Sequence, residues 1–167
     1  MTPRDTARSR VYAAERLVFG MFERAEGNRT VQLAGTELTL PPEARFASVE
    51  SVRDYLSRVT AMASVHSRFP RAVEPVVVRQ RKGHRSAEYR SRAGEVAEIA
   101  IPSSGEGRWA LRELVVLHEF AHHLDEPGGP AHGREFVVCL IDLVGLVLGP
   151  EAELVYRVIF SDSGVEP

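Results

Sequence analysis

Apolar positions along the chain fall into stretches of two different periods. From Val11 to Ala25 they recur at helical spacing through Leu17, Val18, Met21 and Phe22, and Gly27-Asn28 closes the stretch with residues that tolerate a left-handed cap. Thr30 to Leu33 and Glu37 to Leu40 flank Ala34-Gly35-Thr36 and predict a hairpin ended by Pro41-Pro42. Ser48 to His66 predicts a second amphipathic helix, with Val52, Tyr55, Leu56 and Val59 on one face. Three strands are expected next, Val76 to Arg81, Arg85 to Ser91 and Val96 to Ile101, separated by Gly83-His84 and Ala93-Gly94. Leu111, Leu114, Val115, His118 and His122 then follow the i, i+3, i+4 spacing of one buried helix face. The cluster Asp125-Glu126-Pro127-Gly128-Gly129-Pro130 breaks that helix, because proline lacks the amide donor and glycine loses the most backbone entropy. A last apolar run, Phe136 to Leu148, predicts a helix folded back beside it. This mixed order implies an α+β fold.

Composition changes little in that picture. At 167 residues, 44% hydrophobic and 26% charged, the chain is expected to form one globular domain over residues 1–167. The run from Phe136 to Leu148 contains Asp142 and is too short to span a bilayer, so no membrane association is expected. Met1-Thr2-Pro3-Arg4-Asp5 lacks the apolar core of a signal peptide, which makes the cytoplasm the default compartment. The single cysteine, Cys139, excludes an intramolecular disulfide and reads as buried filler rather than a nucleophile. Trp109 reads as a core anchor, and His84 as an exposed turn residue.

Charge is uneven. The net charge is −2, yet residues 68–92 hold seven Arg and one Lys against Glu74 and Glu88. A basic hairpin of this kind can hold nucleic acid or an acidic peptide, with Tyr89 stacking on a base; a solvated sheet surface has the same composition.

The candidate chemistry lies in Leu117-His118-Glu119-Phe120-Ala121-His122, an H-E-x-x-H string. Residues four apart on a helix are separated by about 40° around the axis, so His118 and His122 aim both imidazoles from one face at one metal ion. Glu119 flanks that face, where a carboxylate can take a proton from a metal-bound water without being a ligand. With six His and eighteen Glu in the chain, the string is expected by chance about 0.02 times, so context matters. Four of the six histidines, His118, His122, His123 and His132, fall within fifteen positions. The plain alternative is a core helix whose histidines are satisfied by hydrogen bonds.

A catalytic zinc takes three protein ligands and a water, and His118, His122 and His132 supply three. Gly133 would then allow close backbone approach at the metal. Glu135 and Glu153 are the carboxylate alternatives for the third position. Asp125, one turn after His122, is expected to orient an imidazole or to be solvated. His123 lies about 100° around the helix from His122 and is not expected to bind the ion. Arg134, Tyr156 and His123 are the candidates for stabilising an oxyanion. The strand Glu95 to Ile101, with Ala97, Ile99 and Ile101 facing the core, is the candidate edge on which an extended substrate would pair.

The pattern His118-Glu119-x-x-His122, a short loop, then His132-Gly133-x-x-Phe136 resembles the zinc-ligand signature of SprT-like and WLM-type zincin metallopeptidases. Nearly the whole chain is similar to a family of small actinobacterial metallohydrolases. The matching stretches are Ser9-Arg10-Val11-Tyr12-Ala13-Ala14-Glu15, Leu38-Thr39-Leu40-Pro41-Pro42-Glu43, and the metal segment running into Gly149-Pro150-Glu151-Ala152. The metzincin spacing is absent, since Gly128 stands where its third histidine would be. The loop before His132 is shorter than in SprT-like proteases, and DNA-linked proteolysis is not carried over.

The resemblance implies a zincin-like fold, a small mixed sheet packed on helices, with Zn²⁺ on the H-E-x-x-H helix. The expected activity is that of a zinc-dependent hydrolase, a metallopeptidase acting on a peptide or protein, with Glu119 activating the zinc-bound water. The alternative function is a nucleic-acid- or protein-binding module whose metal is structural or absent. A closed structural site would need a fourth ligand, for which Asp125 is nearest.

Overall fold

In chain order the elements are helix α1 (Arg8–Ala25), strands β1 (Thr30–Leu33) and β2 (Thr36–Thr39), helices α2 (Val49–Thr60) and α3 (Ala63–Arg68), strands β3 (Val76–Arg81), β4 (Glu88–Arg90) and β5 (Ala97–Pro102), and helices α4 (Glu113–Leu124), α5 (Arg134–Leu148) and α6 (Pro150–Asp162). Short 3₁₀ turns cover Pro70–Val73 and Gly105–Ala110. This computed structural model describes residues 5–83 and 85–167; His84 lies outside the described residues. The fold is α+β. The chain divides into two compact units, one built from the residues up to 42 together with those from 126 onward, the other from residues 43–125. No helix among the described residues is long and apolar enough to cross a membrane.

In the first unit α1 buries Val11, Ala14, Glu15, Val18, Met21, Phe22 and Ala25, a stripe at three- and four-residue spacing that packs on α6. Leu17, expected in that stripe, is 55% exposed. One position before Val18, it points about 100° away from the buried face. The hairpin β1–β2 is antiparallel, with Leu33 opposite Thr36 and left-handed φ at both Ala34 (47°) and Gly35 (80°). Two positive φ values in a two-residue turn match the right-handed twist of the strands it joins. Helices α5 and α6 pack together across Gly149, whose φ of 101° favours glycine, and Pro150 opens α6 where its missing amide costs nothing. Helix α6 lies outside the pattern read from the sequence. Cys139 is buried in α5, as expected.

The second unit contains a three-stranded sheet in the order β3-β5-β4, with β3 parallel and β4 antiparallel to β5. Strand β5 is therefore interior, and the expectation that it offers a free edge is overturned. Ala97, Ile99 and Ile101 are buried as predicted, and so is Ala100 between them, because α4 packs on a strand flanked on both sides. Strand β4 is shorter than expected, since only Glu88–Arg90 pair with β5. The predicted helix over 48–66 is two helices. Ser48 opens α2 with a capping box to Ser51, and Met62, extended at ψ 125°, separates α2 from α3. Val59 and Val65 are both buried; six residues apart, they would face about 120° from each other on one continuous helix, so the break turns both inward. Trp109, expected in the core, is 48% exposed.

Candidate metal centre

Helix α4 begins without a side-chain cap of its own. Its first amides are satisfied from the segment before α2: Glu113 N–H donates to Ala44 O at 2.9 Å, and Leu114 N–H to Glu43 Oε1 at 3.2 Å. Arg112 holds Glu43 with two parallel bonds, Nε to Oε1 at 2.7 Å and Nη2 to Oε2 at 2.6 Å. The Glu113 carboxylate accepts from Ala44 N–H at 2.8 Å and from the Tyr55 hydroxyl at 2.6 Å. Burial raises the pKa of Glu113 above the usual carboxylate range, against the pull of those two bonds, and raises that of Tyr55 as well. At the far end Asp125 N–H closes on Ala121 O, and Arg71 donates to Asp125 O at 2.5 Å.

Between these anchors α4 is buried almost all round, His122 alone being half-buried. His118 and His122 stand one turn apart, ring centroids 5.0 Å apart and planes at 76°. Tyr89 on β4 touches this face three ways. Its N–H donates to Glu119 Oε2 at 2.8 Å, its ring lies parallel to His122 at 6.2 Å, and its hydroxyl meets His123 Nδ1 at 3.3 Å. His123 Nε2 lies 3.0 Å from the carbonyl of Glu74. A carbonyl only accepts, so Nε2 carries the proton and the Tyr89 hydroxyl donates to Nδ1. Both nitrogens are thus engaged within the protein, in keeping with the exclusion of His123 as a ligand. Burial lowers its pKa.

His132 belongs to the first unit, in the turn before α5. Its Nδ1 lies 2.6 Å from Asp5 Oδ2, and its ring sits against Tyr12 of α1 at 5.3 Å and Phe136 of α5 at 5.1 Å. The imidazole is buried. Gly133 serves this turn: its N–H donates to Pro130 O at 2.9 Å, and a Cβ there would lie 3.1 Å from that oxygen. The close approach is thus to Pro130.

Of the carboxylates offered in place of His132, Glu135 is exposed and Glu153 is bound by Arg157 at 2.7 Å. Arg134 is exposed, whereas Tyr156 is fully buried beside Phe160. Much of the basic segment is neutralised in place. Arg71 pairs with Glu74, Arg79 with Glu98, Arg81 and Arg90 with Glu88, and Arg92 with Glu95.

Two participants were not legible beforehand. In the sequence Tyr89 reads only as a base-stacking ring, and nothing in a strand residue marks its amide as the partner of a helix carboxylate. Asp5 is 127 positions from His132, and no local signal joins them. Compared with protein-family models, curated proteins and solved structures, the chain matches none.

Proposed function

We propose that this chain is a zinc-dependent hydrolase, and specifically a metallopeptidase with a zincin-like site. The carrying observation is the pair His118 and His122, one turn apart on a buried helix, with the Glu119 carboxylate on the same element held by a backbone amide. His118 and His122 would each offer one ring nitrogen to the ion, and His132 is the third histidine we assign to it. Three neutral imidazoles suit zinc in the open, catalytic type of site. The resemblance of the His118 to Phe136 segment to SprT-like and WLM-type peptidases supports the same reading.

Zinc held by these residues would supply a Lewis acid for the scissile carbonyl and a water of lowered pKa. Glu119 takes up the proton of the attacking water and returns it to the leaving amine. The Tyr89 amide holds one carboxylate oxygen of Glu119 and so fixes the direction from which the other works. Arg71 and Asp125 steady the end of the helix that carries His122.

The test is elemental analysis of untagged protein, wild type beside His132→Ala, followed by a peptidase screen of the loaded wild type. One zinc per chain, lost or much weakened in the variant, is expected. Folded wild type that takes up no zinc on reconstitution would remove the reading.

A further inference from the structure

We propose that Asp5 is a positioning residue for the metal site: its carboxylate holds the His132 imidazole through Nδ1, so that Nε2 is the nitrogen offered to the ion. The inference rests on the reading of His132 as a ligand, and it concerns a residue far from the H-E-x-x-H string.

The contact has the features of a built arrangement rather than a surface ion pair. Asp5 Oδ2 lies 2.6 Å from Nδ1, and the side chains of His132 and Asp5 are 6% and 22% exposed. A carboxylate accepts, so the shared proton belongs to Nδ1 and the lone pair of the neutral ring to Nε2. Asp5 is itself held, because its other oxygen accepts the first amide of α1, Arg8 N–H, at 3.1 Å. Tyr12, one turn further along α1, packs against the same imidazole, and Phe136 meets it edge-on at 73°. One helix thus supplies a ring wall, and Asp5, three positions ahead of its first residue, supplies the hydrogen-bond acceptor. A carboxylate behind a ligating histidine fixes its tautomer and orientation and raises its basicity, and losing it typically costs about 10–100-fold in metal affinity.

Asp5 also helps start α1, so a purely structural role must be separated from positioning. Asp5→Asn does this, because asparagine serves a helix start as well as aspartate does but has one acceptor oxygen and no charge. Two readouts apply to wild type, Asp5→Asn and Asp5→Ala. In metal-free protein, imidazole ¹⁵N spectra above the ordinary histidine pKa report the His132 tautomer. Competition with a chromophoric chelator reports zinc affinity. Expected are an Nδ1–H tautomer in wild type, its loss in both variants, and zinc binding weakened about 10–100-fold in Asp5→Asn with an unchanged melting midpoint. An Nε2–H tautomer in wild type, or wild-type tautomer and affinity in Asp5→Asn, would overturn the proposal. Should wild type bind no zinc, the metal reading falls, and the tautomer spectra still decide what Asp5 does.

Discussion

The backbone amide of Tyr89 donates to Oε2 of Glu119 at 2.8 Å, tying the shortest strand of the sheet to the carboxylate in the H-E-x-x-H string. Glutamine keeps a carbonyl oxygen that can accept this bond but loses basicity. Glu119→Gln is therefore expected to fold and to retain zinc while peptide hydrolysis falls by about 10²–10⁴. Zinc content and single-turnover hydrolysis measured on one preparation check this; a variant as active as wild type would remove Glu119 from the mechanism.

The link between Tyr55 and Glu113 has a pH signature. Below the ordinary carboxylate range Glu113 is protonated in both folded and unfolded chains. Above it the unfolded chain ionises first, so this group's stabilising contribution is lost as pH rises through the raised folded value. Tyr55→Phe removes a donor that favours the charged form and raises that value further. The substitution should cost about 1–3 kcal/mol near neutrality and less in acid. Urea unfolding at several pH values reads the difference, and a penalty independent of pH would contradict it.

How much of this was legible in the sequence follows from the range over which each determinant acts. The stripe of α1, the hairpin, the interior face of β5 and the histidine pair depend on neighbours a few residues away, and their periods appear in the chain. Whether β5 has a free edge depends on where β3 and β4 dock, which no local period records. Leu17 and Trp109 are apolar residues left outside, and hydrophobicity alone does not say which side of an element is covered. The break at Met62 carries no proline or glycine; it follows from the need to bury Val59 and Val65 together. The Asp5–His132 contact had no sequence signal at all.

Glu43 is expected to matter more than its place outside any helix suggests. Its carboxylate takes both bonds from Arg112 and the amide of Leu114, with both charged side chains nearly buried. Glu43→Ala takes the bidentate acceptor from a buried guanidinium, at an expected cost of about 3–5 kcal/mol. Glu43→Gln, which keeps one acceptor oxygen, should cost less. Thermal unfolding of the two variants provides the comparison, and equal losses would argue against the charge-assisted pair.

Gly145 is a helix-interior glycine with a packing reason. A Cβ there would lie 2.9 Å from Cδ and 3.2 Å from Cβ of Glu153 on α6. Gly145→Ala gains helix propensity but overpacks this contact; the Glu153 carboxyl can swing aside while its Cβ must shift with α6, for an expected net loss of under about 1 kcal/mol. In a Glu153→Ala background the loss should shrink. Denaturation midpoints at unchanged slope measure both; a Gly145→Ala variant more stable than wild type would show that α6 yields freely.

The division of the chain into a continuous unit and an interrupted one sets an order of events at the ribosome. All contacts of the unit over residues 43–125 can form once residue 125 has emerged, and this unit holds α4 and its histidine pair. Helix α1 is made before the unit over residues 43–125, yet its partner α6 (Pro150–Asp162) follows that unit, so the part of its apolar stripe that packs on α6 stays uncovered while the whole of residues 43–125 is synthesised. At about 5–20 residues per second this interval lasts seconds, long enough for chaperones to engage α1. His132 follows residue 125 by seven positions, so its contact with Asp5 can form only after the His118–His122 pair has been made.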